Sequence, residues 1–365
     1  MITVGLIYDG SYLLHRMYAQ AETMIRRGQT SVDRREFGEQ DRRNVACYLT
    51  LNSLYLFLSK SHPDAEYFDK IPLMLSLDGK GSTNYRRQIN ENYKANRDHN
   101  DGFQEFKQQI VGYFDLIGIP HFESTIYEAD DIAYALSTMP ESAYTFVTDD
   151  KDWYSCVASS HCKLYSPRTK STVTRESLLS DYRPVFPTTD DYPLLPKVIN
   201  YYKALLGDKS DNVGGFKGIG DVKARVIIRK MLKYYPQIDN YKYFVLSEAD
   251  RPRAGARDGT MAKALGLSGV GAANSNEERT QKYEYGLAQD WDRFLQNVQI
   301  LGYDHVVPEE ILPQVEAVSP KEISSMEING NLQEIAEQIQ SNTIAQNSYQ
   351  YSLVFAKVTS LHDLY

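Results

Sequence analysis

Three short apolar runs in this chain each stop on an aspartate, and that repeated ending constrains the fold more than any other feature. Residues 2–8 (Ile-Thr-Val-Gly-Leu-Ile-Tyr) run into Asp9-Gly10-Ser11, Ile71–Leu77 into Asp78-Gly79, and Ala143–Val147 into Thr148-Asp149-Asp150-Lys151-Asp152. Runs of this length bounded by turn residues read as buried strands. Leu164 and Tyr165 mark another short strand, and helical stretches are expected over Arg34–Ser61, Gln104–Ile117 and Glu128–Met139. Strands alternating with helices predict an α/β fold, a mostly parallel twisted sheet flanked by helices on both faces. In such sheets chemistry collects beyond the carboxyl ends of the strands. The three acidic endings would then share one rim.

Composition sets the outer limits. The 365 residues are 42% hydrophobic and 24% charged, with 14 Pro and 22 Gly, which is ordinary for one large or two moderate globular domains and excludes a collagenous or wholly disordered chain. No apolar run approaches the roughly 20 residues of a membrane span. The first residues carry neither a basic n-region nor a small-residue cleavage site, so export is not expected. The three cysteines, Cys47, Cys156 and Cys162, lack metal-type spacing, and a reduced, cytoplasmic protein is expected.

Beyond the sheet, Arg183–Pro196 carries four prolines and reads as a connection. A helix over Lys197–Leu206, a glycine-rich turn over Gly207–Gly220 and a helix over Asp221–Tyr234 follow. Residues 250–276 read as a loop, Glu277–Leu301 and Leu332–Gln346 as helices, and Tyr349–Ser360 as a strand or extended tail.

Each acid has a plain structural reading. An Asp after a strand often caps a turn or helix, and Glu128-Ala-Asp-Asp131 suits a helix N-terminus, where the dipole favours negative charge. The conjunction is harder to explain that way, because a doubly wound sheet brings Asp9, Asp78, Glu128, Asp130, Asp131, Asp150 and Asp152 towards one rim. Two carboxylates about 4 Å apart repel by roughly 4 kcal/mol at an effective dielectric near 20. Such a nest calls for cations, and oxygen-only ligands favour Mg²⁺ or Mn²⁺ over Zn²⁺. Two such ions are the usual device for phosphodiester cleavage. The absence of a Gly-x-x-x-x-Gly-Lys-Ser/Thr loop disfavours an ATPase.

The net charge of −8 looks wrong for a nucleic-acid binder. Setting aside nine candidate ligands (the seven above with Asp208 and Asp211 of the glycine-rich turn) moves it to +1. Lys80, Arg86, Arg87, Lys94 and Arg97 against Glu91 give a local excess of four positive charges, and residues 203–233 give five. An acidic pocket between basic surfaces is the pattern of a protein that grips and cuts phosphate backbone. Tyr85 and Tyr93 are placed to stack on unpaired bases. A glycine-rich linker and a solvated basic surface are the plain alternatives.

In order along the chain, Tyr8-Asp9-Gly-Ser, Leu77-Asp78-Gly, Tyr85-Arg-Arg…Tyr93-Lys94-Ala-Asn-Arg97, Glu128-Ala-Asp-Asp131, Thr148-Asp-Asp-Lys-Asp-Trp153 and Gly207-Asp-Lys-Ser-Asp-Asn…Gly218-Ile-Gly220 resemble the flap endonuclease and 5′-nuclease superfamily. The likeness is strongest to its stand-alone phage members, such as T-even phage ribonuclease H. It implies a PIN-like nuclease core over residues 1–182 with an arch at about 79–102. A helix–three-turn–helix for duplex DNA would follow at 183–235, and then a mainly helical C-terminal extension, 236–365, of unassigned role. It also implies two Mg²⁺ sites, with Mn²⁺ as a substitute and K⁺ in the helix–three-turn–helix. Asp9, Asp78, Glu128 and Asp130 would hold the catalytic ion; Asp131, Asp150, Asp152, Asp208 and Asp211 would serve the second. Lys94 and Arg97 look like the basic pair at the scissile phosphate. Arg86, Arg87, Tyr93, Lys217, Gly218, Gly220 and Lys223 would touch nucleic acid. Asp149 adds an acid to the usual pattern, and the Asp-Lys-Asp-Trp spacing favours Asp150 as the inward-facing one.

The function so implied is a divalent-metal-dependent, structure-specific 5′ nuclease. It would act on 5′ flaps, nicks and RNA-primed duplexes in replication, as a monomer that meets replication proteins such as single-stranded-DNA-binding protein. Two other readings remain: a PIN-type endoribonuclease acting on single-stranded RNA, and a catalytically silent DNA-binding scaffold of the same fold.

Overall fold

The computed structural model describes residues 3–61, 70–96, 100–139, 142–158, 161–182, 195–234, 290–318, 323–359 and 361. The predicted connection at 183–194, the loop at 250–276 and the helix before residue 290 lie outside the described residues.

Contacts divide the chain into two units. The first holds residues 1–84, 98–175 and 306–365, and the second holds 85–97 and 176–305. This grouping differs from the expected linear division into 1–182, 183–235 and 236–365. The last sixty residues belong with the sheet rather than with a separate extension.

In the first unit, strands β1 (Thr3–Asp9), β2 (Ile71–Asp78), β3 (His121–Ser124), β4 (Ser142–Val147), β5 (Lys163–Ser166) and β6 (Ser171–Thr174) make a sheet of order β3-β2-β1-β4-β5-β6. All neighbours are parallel except β5 and β6, which form an antiparallel hairpin. The mostly parallel α/β expectation therefore holds. Successive side chains of a strand face opposite ways. Leu6 and Tyr8 of β1 and Leu73, Leu75 and Leu77 of β2 enter one core, while Ile7, Met74 and Phe146 are buried on the other face.

The first core is closed by helices α1 (Gly10–Arg26), α2 (Glu39–Leu56) and α4 (Asp101–Ile117). Sequence reading stopped at the Asp9-Gly10-Ser11 turn and missed α1, although Leu13, Leu14, Met17, Ala21 and Ile25 recur at helical spacing and are buried. The helix expected from Arg34 begins at Glu39, where the Asp41 side chain accepts a bond from Gly38 N at 2.8 Å. In α4 the Asn100 side chain caps Phe103 N at 3.0 Å, and Gly118 ends the helix with a φ of 72°.

The C-terminal segment corrects two expectations. The single helix expected over Leu332–Gln346 is two, Ser325–Gln338 and Asn342–Phe355, and the expected tail from Tyr349 is mostly the second of these. Their Leu332, Ile335, Ile344, Tyr351 and Phe355 join the same core as α1, α2 and α4. Polar bonds lock the contact: Tyr351 Oη donates to Asn52 at 2.6 Å, and Tyr113 Oη to Gln338 at 3.0 Å. Only Val358–Thr359 is strand, paired with the start of β2.

The second unit contains Tyr85–Ile89 of helix α3 (Asn84–Ile89), Glu176–Tyr182 of helix α6 (Arg175–Tyr182), and helices α7 (Leu195–Leu206), α8 (Asp221–Tyr234) and α9 (Trp291–Leu301). Between α7 and α8 the chain makes a two-residue ladder, Gly207–Asp208 against Val213–Gly214. Gly207 has a φ of 74°, and a Cβ there would meet Gly215 N at 2.2 Å, so a tight left-handed turn requires glycine.

Candidate metal centre

The sheet order places β1 between β2 and β4, and the registers Asp9↔Ser76 and Tyr8↔Val147 bring the carboxyl ends of these three strands level. Chain direction reverses its lateral course here, since β2 and β3 lie on one side of β1 and β4 and β5 on the other. This is the switch point at which open α/β sheets form crevices.

Asp9 ends β1 and caps α1. One of its oxygens accepts from Tyr12 N at 2.8 Å and the other from Thr148 Oγ1 at 2.8 Å, and the residue is only 3% exposed. Asp78 ends β2, where its backbone N–H donates to Ser11 Oγ at 2.7 Å and its carboxylate accepts from Ala129 N at 2.8 Å. That second bond seats the N-terminus of α5 (Ala129–Ser137) on the end of β2, helped by Ser76 Oγ donating to Ala129 O at 3.1 Å. After Asp78 the backbone runs so close to β3 that a Cβ on Gly79 would sit 2.0 Å from Ser124 O. The Asp-Gly pair is thus a steric requirement of leaving the strand at the rim.

Docking α5 in this way delivers its acids. Glu128, Asp130 and Asp131 each place one carboxylate oxygen within 4.8 Å of the others. Asp131 is fully buried and accepts from Glu128 N at 2.9 Å, and Glu128 is 1% exposed. These acids do cap the helix, as the plain reading held. The plain reading does not account for their number.

At the end of β4 the two candidate aspartates separate. Asp149 accepts from the hydroxyls of Tyr12 and Ser166 and has Arg16 and Arg168 each 3.9 Å away. Asp150 is exposed, its backbone N–H donates to Thr148 Oγ1 at 3.0 Å, and its carboxylate accepts from Asp152 N at 2.9 Å. Asp150 also acts on Asp9. Burial pushes the Asp9 carboxyl up to about 8, and the neighbouring Asp150 and Asp78 charges push it the same way against the bonds from Tyr12 and Thr148. This carboxyl is held in a field that a cation would relieve, and the candidate ligands at this rim are all carboxylates, so the residues fit a hard divalent ion.

The remaining predicted residues lie in the second unit. Asp208 turns the chain by accepting from Ser210 N at 2.8 Å, and Asp211 is 5% exposed. Tyr93 Oη donates to the Asp211 carboxylate at 3.1 Å, and Lys94 N to Asp211 O at 2.9 Å, with Lys94 at a φ of 53°. Tyr93 is 2% exposed and Arg86 3%, with Arg86 Nε donating to Ile300 O at 2.9 Å. These two side chains were expected to meet nucleic acid; in this structure both are buried, and each satisfies an acceptor of its own unit. Tyr85 keeps a half-exposed ring stacked on His305 with centroids 4.3 Å apart, and Arg87 Nε donates to Tyr93 O at 3.3 Å. Lys217, Gly218 and Gly220 are exposed, and Lys223 Nζ donates to Gly218 O at 2.7 Å. Arg97 lies outside the described residues.

Sequence reading missed the hydroxyls that hold the acids: Ser11, Ser76, Thr148 and Ser166. Ser11, Ser76 and Thr148 had a visible signal, each lying within two residues of an acid at or just after a strand end.

Residues 4–183 match the family model described as the 5′-3′ exonuclease N-terminal resolvase-like domain. A 5′-3′ exonuclease of Halalkalibacterium halodurans is 28% identical over 232 residues, covering 62% of this chain and 70% of that protein. DNA polymerase I of Streptococcus pneumoniae is 29% identical over 223 residues, covering 58% of this chain and 24% of that protein. The chain thus spans about a quarter of the length of the DNA polymerase I relatives it matches. Among solved structures, the catalytic core of Rad2 in complex with DNA substrate superposes with a TM-score of 0.53 at 14% identity, covering 96% of this chain and 93% of that one. Among the described residues no helix is long and apolar enough to cross a membrane. The fold, the ordered acidic motifs and the family match coincide on residues 4–183, and this part of the chain is a 5′-3′ exonuclease N-terminal domain.

Proposed function

We propose that this chain is a divalent-metal-dependent 5′ nuclease that hydrolyses phosphodiesters at 5′ ends and flaps of DNA and RNA-primed duplexes. The observation that carries the reading is the run of acids at the carboxyl ends of β1, β2 and β4 and at the start of α5, with Asp9 pushed up to about 8 by burial and by its acidic neighbours. Asp9, Asp78, Glu128 and Asp130 would hold a catalytic Mg²⁺, with Mn²⁺ a workable substitute. Asp131, Asp150 and Asp152 would serve a second ion. Asp208 and Asp211 are assigned to the second ion, and K⁺ to the turn after α7, by the family resemblance.

Bound divalent ions supply a water of lowered pKa and neutralise charge on the phosphate under attack. The chain's own part is positional. Thr148 and Tyr12 fix the two oxygens of Asp9, and Ala129 N fixes Asp78. Lys94 would sit as a cation at the scissile phosphate, where the water oxygen joins phosphorus, the P–O bond to the leaving strand breaks and the leaving oxygen takes a proton. The exposed Lys217 and the amides at Gly218 and Gly220 would bind duplex phosphates. The same reading expects a cytoplasmic monomer that meets replication proteins.

The test is a cleavage map on 5′-labelled flap, nicked and RNA-primed duplexes and on unstructured RNA, with and without Mg²⁺. Mg²⁺-dependent cuts near the 5′ end or junction, at much lower rates on unstructured RNA, are expected. Equal cleavage of unstructured RNA would favour the endoribonuclease reading, and no cleavage of any substrate the silent scaffold. The double variant Asp150→Asn/Asp208→Asn should bind a flap duplex and leave it uncut.

A further inference from the structure

Asp149 is an acid that the metal reading does not use. It stands beside Asp150 at the end of β4, and both of its oxygens are occupied. Tyr12 Oη donates to Oδ2 and Ser166 Oγ donates to Oδ1. Partial burial and the bond to Asp149 push the Tyr12 hydroxyl up to about 12, so it remains a donor. The carboxylate thus ties the first turn of α1 to the β5–β6 hairpin, across the strand end that carries Asp150.

Two guanidinium groups flank the tie. Arg16 Nη1 donates to Tyr12 Oη at 3.4 Å and lies 3.9 Å from Asp149 Oδ2, and Arg168 Nε lies 3.9 Å from Oδ1, both distances to Asp149 being beyond hydrogen-bond reach. One carboxylate therefore faces two guanidinium groups whose planar forks are not bound to it. Arg168 stands at the tip of the hairpin with its side chain 70% exposed, and Lys170, two residues on, is also exposed. Three cations against one buried acid leave a net positive edge on the β5 side of the acidic rim. A guanidinium fork matches the oxygens of a phosphodiester.

We propose that Asp149 is a positioning residue rather than a metal ligand, and that it orients Arg16 and Arg168 so that the β5–β6 hairpin grips a backbone phosphate of the substrate beside the metal centre. The inference rests on the metal-dependent reading above, and the experiment separates the two.

Mn²⁺ binding is measured by calorimetry on the wild type, Asp149→Asn and Asp150→Asn. Wild-type affinity within about threefold in Asp149→Asn, beside a loss of about tenfold or more in Asp150→Asn, is the expected result. A loss in Asp149→Asn equal to that in Asp150→Asn would make Asp149 a ligand and overturn the proposal. No loss in either variant would count against the metal reading itself. Arg168→Ala, an exposed change that leaves folding intact, is assayed for binding of a 5′-flap duplex in EDTA at several salt concentrations. The slope of log affinity against log salt should fall by about one, with KM raised and kcat held once Mg²⁺ is restored. An unchanged slope and an unchanged KM would remove the hairpin from the substrate surface.

Discussion

Asp9 in the first unit and Asp211 in the second are both buried aspartates, one ending a strand and one in the turn of a two-residue ladder, and they are held in opposite ways. Asp9 keeps two neutral donors, Tyr12 N and Thr148 Oγ1, yet burial, with its acidic neighbours, pushes it up to about 8. Asp211 is built into its surroundings, with the Tyr93 hydroxyl on its carboxylate and the Lys94 amide on its carbonyl. The first arrangement concentrates charge of one sign at the cost of apo stability; the second spends its acid on fixing the 85–96 segment. The same residue type is thus loaded by its neighbours in one place and braced by them in the other.

The largest effect that would break this contrast is on catalysis. Asp78→Asn or Glu128→Gln should lower kcat by about 10³-fold or more, since each removes a ligand of an ion supplying several kcal/mol to the transition state. Single-turnover rates on a labelled flap duplex measure it, and near-wild-type rates would return these acids to a capping role. Next is Lys94→Ala, expected to cost about 10²-fold in turnover if its charge acts on the phosphate; wild-type turnover would leave Lys94 no part in the chemistry.

A third prediction uses pH. A carboxyl raised from 3.8 to about 8 on folding contributes stability that is fully present below about pH 4 and lost as pH rises through about 8. The ion-free protein should therefore lose stability from this group over that window. A divalent ion removes the loss, so at 100 times its Kd it adds about 2.7 kcal/mol, and the gain in Tm should be larger at pH 8.5 than at pH 6. Calorimetric melts with Mg²⁺ and with EDTA at both pH values decide the point; a pH-independent gain would contradict it. The smallest effect is Tyr93→Phe, which takes one donor from a buried carboxylate and should cost about 1–3 kcal/mol in denaturant unfolding. Unchanged stability would show that Asp211 does not depend on this brace.

The parts of this picture legible in the sequence were those written in periodicity and adjacency. Short apolar runs ending in acids gave β1, β2 and β4, their parallel sense and the acidic rim, because parallel strand ends in an α/β sheet emerge on one side. Helix α1 was lost because its capping residue, Asp9, is also the strand's last residue and was read only as a turn. The buried places of Tyr93 and Arg86 were not legible because an aromatic among arginines has the same local pattern whether it faces solvent or a buried carboxylate; the partners Asp211 and Ile300 are distant in sequence. The C-terminal helices were read without a destination, since nothing local in Leu332 or Tyr351 indicates that they complete the core begun by α1, α2 and α4.

The claim on which the rest depends is that the acids of β1, β2 and α5 hold a divalent ion. Anomalous scattering from crystals soaked in Mn²⁺ tests it without reference to activity. The account predicts a peak bounded by carboxylates of Asp9, Asp78, Glu128 and Asp130, absent in Glu128→Gln. A soaked crystal with no peak among these four residues, or with ions bound only elsewhere, would contradict it.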